Sequence, residues 1–252
     1  MSGGDHSHRP GKLYVVGIGP GSKYEISQRA LDALKDSDTI IGYTLYIDLI
    51  RDIIENKHII ASTMRKEVDR VKLAIQEAQT GKKVSIISSG DPGVYGMAGL
   101  VLEMISKENI PVPVEIVPGI PAANAAAAVL GAPLMHDYVV ISLSDLLTPW
   151  EVIERRVKSA AEADFVIVLY NPKSSQRDWQ IEKTAEIILE WKSPHTPVGI
   201  VKDVTREGET VVVTTLDKMT SHPIDMTTII VIGNSTTFLY RDYMITKRGY
   251  LF

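Results

Sequence analysis

The chain has 252 residues, 23% of them charged and 44% hydrophobic, with a formal net charge of -4 and a mean hydropathy of +0.04. This is an ordinary composition for a soluble globular protein of one large or two modest domains, and the lack of a basic excess argues against nucleic-acid binding. No cysteine occurs, which excludes disulfides, thiolate metal ligands and a cysteine nucleophile from these residues.

The opening "MSGGDHSHRPGK" is polar and glycine-rich, and no apolar run approaches the roughly eighteen residues of a membrane helix. The expectation is a cytoplasmic protein without membrane contact, with residues 1–10 as a disordered tail. His6 and His8 read as tail residues, and no metal site is expected. From Lys12, "KLYVVGIG" is a short apolar strand running into glycines, and "YEISQRALDALKDSD" places Ile26, Ala30, Leu31 and Leu34 on one helical face. "DTIIGYT" reads as a strand, "LYIDLIRDII" as a helix and "HIIAS" as a strand. A helix with Val68, Val71, Ile75 and Ala78 in register follows. Then come the strand "KVSIIS", the loop "SSGDPGVYG", and a helix carrying Met97, Leu100, Val101, Met104 and Ile105. Alternation of this length predicts a mainly parallel sheet covered on both faces.

"VPVEIVPG" reads as a further strand, and "PGIPAANAAAAVLGAP" as a small-residue helix bracketed by Pro and Gly, which marks the domain junction. The expected α/β domains are therefore 11–119 and 120–252. After the junction come "YVVISL" (strand), "PWEVIERRVKSAAEA" (helix), "DFVIVLY" (strand) and "RDWQIEKTAEIILEWK" (helix). Three strands follow in succession, "TPVGIVKDV", "ETVVVTTL" and "TTIIVIG", which predicts a mixed sheet with antiparallel members.

Nucleotide motifs fail on detail. "GIGPG" follows a strand, but its spacing is G-x-G-x-G, and Gly42 and Tyr43 stand where an acidic residue would grip a ribose. A phosphate-binding G-x-x-x-x-G-K-[ST] is absent. What recurs instead is a set of Gly/Pro-rich loops after strands: "GPG", "SSGDPG", "VPGIPA" and "YNPKSS". Open α/β sheets bind ligands at the carboxyl ends of their strands, and glycine lets backbone approach a small polar molecule closely. Asp91 could accept a hydrogen bond from such a ligand or cap the following helix.

The ordered set "VGIGPG", "SSGDPGVYG", "VPGIPAANAAAAVLGAPLMHDY", "ISLSDLLTPWEVIERR", "YNPKSSQR" and "VKDVTREGE" resembles the tetrapyrrole methylases. Within them it is similar to the precorrin-3B and cobalt-factor III C17-methyltransferases of cobalamin (vitamin B12) biosynthesis. The subgroup rests on "HDYVVISLSDLLTPWEVIERR" and "YNPKSSQR". Against the uroporphyrinogen-methylating branch, Tyr43 replaces an Asp, "STMRKE" replaces "GKR", and "PGIPA" replaces "PGITA".

The resemblance implies a homodimer of two-domain subunits that binds S-adenosyl-L-methionine in an interdomain cleft and releases S-adenosyl-L-homocysteine. The implied cofactor contacts are Pro20, Ser89, Gly90, Asp91, Val94, Pro121, Ala122 and Asn171. The macrocycle bears many carboxylates, so Tyr43, Arg65, Ser144, Lys173, Ser174 and Arg177 are expected to face it. Methylation is coupled in the family to ring contraction, for which His136, Asp137 and Asp145, with Ser144 nearby, are the candidate proton-handling groups. Tyr43 and Tyr46 could line a cavity or simply pack. Two alternatives remain open: another branch of the same superfamily, such as a different precorrin methylase or diphthine synthase, and a non-catalytic metabolite sensor.

Overall fold

A computed structural model describes residues 11–63 and 66–251. The described residues divide into two compact units, with the boundary between Pro121 and Ala122.

The first unit alternates strand and helix: β1 (Lys12–Gly17), α1 (Gln28–Asp36), β2 (Thr39–Tyr43), α2 (Thr44–Leu49), β3 (His58–Ser62), α3 (Glu67–Gln79), β4 (Lys83–Ser88), α4 (Ala98–Glu108) and β5 (Val114–Val117). Its five strands lie in the order β3-β2-β4-β1-β5, and every neighbouring pair is parallel. Strand side chains alternate faces, and β1 shows what that does here. Tyr14 and Val16 enter the core built with α1, while Leu13 and Val15 enter the core built with α3 and α4. A strand buried on both sides has to be apolar throughout, which is why "LYVV" carries no polar alternation. Helix α1 begins where Ser27 Oγ accepts the Ala30 amide at 3.1 Å, a cap contributing about 1 kcal/mol. The stretch "LYIDLIRDII" forms only the short α2, followed by a single 3₁₀ turn over Arg51–Ile53.

The second unit contains α5 (Ala122–Leu130), β6 (Gly131–Ala132), β7 (Tyr138–Ser142), α6 (Trp150–Glu162), β8 (Val166–Tyr170), α7 (Trp179–Leu189), β9 (Pro197–Lys202), β10 (Thr210–Thr215), β11 (Thr228–Ile232), β12 (Thr237–Tyr240) and β13 (Tyr243–Thr246). Its main sheet has the order β10-β9-β11-β8-β7 and is mixed. β7 pairs with β8 in parallel, and β11 runs antiparallel to both β8 and β9. The alternation recurs on β8: Ile167 and Leu169 pack with α6 and α7, and Val166 and Val168 with α5. A small separate sheet, β12-β13-β6, closes the chain.

An ion pair between a buried lysine and a half-exposed aspartate ties the second unit together. Lys192, with 2% of its side chain exposed, donates to Asp164 Oδ1 at 3.0 Å, and Asp164 also accepts from the Ser235 amide at 3.0 Å. Burial alone would raise the Asp164 pKa, but the hydrogen bonds from Ser235 and Lys192 outweigh it and hold the carboxyl below its ordinary value. A depressed carboxyl pKa gives stability that is present above the ordinary carboxylate range and lost as pH falls through the folded value. Asp164→Asn is therefore expected to lower stability at neutral pH, with the gap to wild type narrowing on acidification. Denaturant unfolding at pH 7 and pH 3 reads this directly; a gap independent of pH would contradict it.

Candidate active site

Because all five strands of the first unit are parallel, their carboxyl ends share one edge, and the registers Gly17↔Ser88 and Val16↔Val117 bring the three central loops side by side. These are the "GIGPG", "SSGDPG" and "PGIP" segments. Gly19 and Gly90 exchange backbone hydrogen bonds at 3.2 and 2.7 Å, a bridge that requires the left-handed φ of +75° and +66° at the two glycines. At Gly119 a Cβ would lie 2.2 Å from Gly90 O and 2.8 Å from Gly17 O. Three backbones thus pack where no side chain fits, leaving main-chain groups rather than side chains to meet a ligand.

Asp91 binds this arrangement together. Its Oδ1 accepts the Gly93 amide at 2.8 Å, and its Oδ2 accepts the Gly119 amide, 28 residues away, at 3.1 Å. The helix it could have capped, α4, begins at Ala98, and it is Ser88 Oγ that accepts the Met97 amide, at 3.2 Å. On the same edge Pro20 and Gly90 are buried, Ser89, Val94 and Pro121 are half-buried, and Tyr43 sits at the end of β2 with its ring edge-on to Tyr46 at 5.2 Å. Arg65 lies outside the described residues.

In the second unit one edge of the main sheet collects the ends of β7, β8 and β9 and the start of β11. Ser142 Oγ accepts from Asn171 Nδ2 at 3.0 Å and from the Ser144 amide at 3.2 Å, joining the loops after β7 and β8. The Tyr170 hydroxyl accepts the Ala123 amide at 2.8 Å, which sets Ala122 beside the Tyr170–Asn171 corner. Backbone strain gathers on this edge. Asn171, Asp203 and Thr205 adopt φ of +50°, +48° and +62°, and for the β-branched Thr205 that conformation is a true outlier. The Thr205 amide is held by Glu209 Oε2 at 2.6 Å.

Beneath these loops lies Arg177, 7% exposed. Its Nη1 donates to Leu143 O and to Asn171 O, both at 2.9 Å, and its Nε is 3.9 Å from Asp145 Oδ1. Asp145 Oδ2 accepts from Gln180 Nε2 at 2.9 Å. Burial pushes the Arg177 pKa down and the charge of Asp145 pushes it back up. The geometry engages Arg177 with two backbone carbonyls and with Asp145, and Asp145 with the Gln180 side chain as well. The other side chains expected from sequence are divided by β7: Ser144 follows its carboxyl end, whereas His136 and Asp137 precede its amino end. Those ends are about 13 Å apart at the usual strand rise. His136 and Asp137 are exposed, with His136 Nδ1 accepting the Asp137 amide at 2.8 Å. The structure does not bring these two residues to Ser144 and Asp145.

Lys173 and Ser174 line a recess of about 420 Å³ with Ser175 and the segment Ile224–Thr227. The sequence assigns that segment no site role, only the start of the strand "TTIIVIG" at Thr227. Its only local signal is the Asp225, Thr227, Thr228 pattern that turns the chain into β11: Asp225 Oδ1 accepts from the Thr227 amide and hydroxyl, both at 2.9 Å, and from Thr228 Oγ1 at 3.1 Å. Burial would raise the Asp225 pKa, yet its pairing with Lys202 at 2.7 Å and the threonine hydrogen bonds leave it below its ordinary value.

A family model of tetrapyrrole (corrin/porphyrin) methylases matches residues 12–220, and the chain belongs to that family. Within the family, the chain is 48% identical over 238 residues to a probable cobalt-factor III C(17)-methyltransferase of Salmonella typhimurium, covering 94% of this chain and 99% of that protein. It is 52% identical over 244 residues to a cobalt-factor III methyltransferase of Priestia megaterium, covering 95% of this chain but only 45% of that longer protein. The crystal structure of the methyltransferase CobJ superposes with a TM-score of 0.89 at 35% identity, covering 94% of this chain and 100% of that one. Among the described residues no helix is long and apolar enough to cross a membrane, and no three His, Asp or Glu side chains are grouped to hold a metal ion.

Proposed function

We propose that this chain transfers a methyl group from S-adenosyl-L-methionine to C17 of a precorrin-3B or cobalt-factor III macrocycle, with associated ring contraction, in cobalamin biosynthesis, and that it works as a cytoplasmic homodimer. The observation that carries this reading is the near full-length match to the Salmonella relative, which spans the strands, the glycine loops and the "YNPKSS" edge alike.

The cofactor fits the first unit's loop edge because of what a Cβ would do there. A site built from Gly17, Gly90 and Gly119 recognises through backbone, which suits a ligand combining a nucleoside with a zwitterionic amino acid. The sulfonium, when bound, supplies an already activated methyl group. What remains for the protein is to hold the acceptor carbon in line and exclude water, so positioning outweighs acid–base chemistry. Asp91 prepares the edge in advance by fixing the Gly93 and Gly119 amides, which lowers the ordering cost of binding. Asp91→Ala frees both amides and is expected to weaken S-adenosylmethionine binding about tenfold or more, the equivalent of one lost charged hydrogen bond. Asp91→Asn keeps one acceptor oxygen and loses less. Calorimetry giving wild-type affinity for the alanine variant would contradict this role.

The activity is tested by incubating the purified protein with S-adenosylmethionine and, separately, cobalt-factor III or precorrin-3B, followed by mass analysis. Gain of one methyl group at C17 is the expected result. Tight binding of both molecules without turnover would overturn the assignment in favour of a sensor.

A further inference from the structure

We propose that the recess between the loop after β8 and the segment before β11 is a carboxylate subsite, taking one acidic side chain of the macrocycle on Lys173. The proposal rests on the reading of the chain as a tetrapyrrole methylase. Two carboxylate-relevant charges line this recess, Lys173 and Asp225, and they are in different states. Asp225 is spoken for: Lys202 pairs with its Oδ2 at 2.7 Å, and three donors from Thr227 and Thr228 occupy its Oδ1. Lys173 is half-buried, and among the described residues it has no ion-pair partner. The net field in the recess is therefore that of one ammonium beside a neutralised pair.

The remaining wall is amphiphilic. Ile224 is half-buried against the core of the second unit, and Met226 is 41% exposed, so methylenes have an apolar surface to lie on. Ser174 and Ser175 contribute hydroxyl-bearing side chains to the same lining. The Lys173 loop is also held in shape, since Ser174 and Arg177 exchange backbone hydrogen bonds at 2.7 and 3.2 Å and the Arg177 side chain is anchored beneath. One cation, hydroxyls and an apolar floor match a short aliphatic carboxylate. A phosphate is matched worse, because a second negative charge would face Asp225 with no second cation among the described lining residues to meet it.

The test titrates cobalt-factor III by absorbance into the full chain saturated with S-adenosylhomocysteine. Lys173→Gln is expected to raise the macrocycle Kd about tenfold, and Lys173→Glu further, while affinity for S-adenosylmethionine stays at the wild-type value. Against a macrocycle whose side-chain carboxylates are methyl-esterified, wild type and Lys173→Gln should bind alike. Should Lys173→Gln also lose the cofactor, Met226→Glu, which sets a carboxylate into the recess from the opposite wall, is expected to raise the macrocycle Kd at least tenfold. Wild-type binding that Lys173→Gln and Met226→Glu leave within twofold overturns the subsite alone. A wild-type protein that binds no macrocycle overturns the underlying reading.

Discussion

Arg177→Met is expected to cost the protein about 2–5 kcal/mol of unfolding free energy, a large share of the stability of an ordinary domain. The guanidinium is the donor for two carbonyls, Leu143 O and Asn171 O, each at 2.9 Å, and Leu143 is fully buried. Methionine fills much of the volume but donates nothing, so both acceptors are orphaned and Asp145 loses its nearest cation at 3.9 Å. A buried polar group without its partner costs about 1–3 kcal/mol. Arg177→Lys should recover only part, because one ammonium on a shorter stem cannot reproduce the planar fork. Denaturant unfolding gives the free energies, and hydrogen exchange should show the loops around Leu143 and Asn171 losing protection first. A methionine variant within about 0.5 kcal/mol of wild type would show that these carbonyls find other donors. The bonds of Arg177 to Leu143 O and Asn171 O make it a brace for the loops that carry Ser144, Asn171 and Lys173.

The second large effect is expected at Gly119. Alanine there puts a Cβ 2.2 Å from Gly90 O and 2.8 Å from Gly17 O, and these are backbone atoms that cannot rotate aside. The loops must part, and the Asp91 Oδ2 bond to the Gly119 amide at 3.1 Å is the contact placed to break. Overpacking of this kind costs about 1–3 kcal/mol, so S-adenosylmethionine affinity should fall roughly tenfold to a hundredfold. Calorimetry measures it. Unchanged affinity in a folded Gly119→Ala protein would remove the glycine cradle from cofactor binding.

The alternation of the first unit was readable because both its signals are local. A strand such as "LYVVG" is apolar at every position when both faces are covered, and the following helix shows its own 3.6-residue period. The C-terminal hairpin of β12 and β13 was not readable. Tyr240 pairs with Tyr243 across a two-residue turn, a place normally marked by Gly or Asn, but here Arg241 itself takes the left-handed φ of +53°. The short "LYIDLIRDII" run misled for the converse reason: its apolar residues sit at helical spacing although the helix stops at Leu49.

At the loop edges, the residue types that pointed to a backbone-recognition site were plain in the sequence: glycines and prolines after successive strands, with no P-loop or dinucleotide fingerprint. The partners of the charged residues there were not. Whether Asp91 caps its own helix or ties down Gly119 depends on β5 lying beside β1, a pairing between strands about a hundred residues apart in the chain. Whether His136 joins Asp145 depends on β7 running as one extended strand between them. By itself the sequence determined the chain's family, the parallel first sheet and the glycine- and proline-rich loops after its strands, because hydrophobic period and glycine placement act over a few residues. Only the tertiary structure decided that Arg177 is a buried brace and that Asp225 is already neutralised, while Lys173 has no ion-pair partner among the described residues. Those are outcomes of which distant charges the fold brings within about 4 Å, and no local pattern encodes that distance.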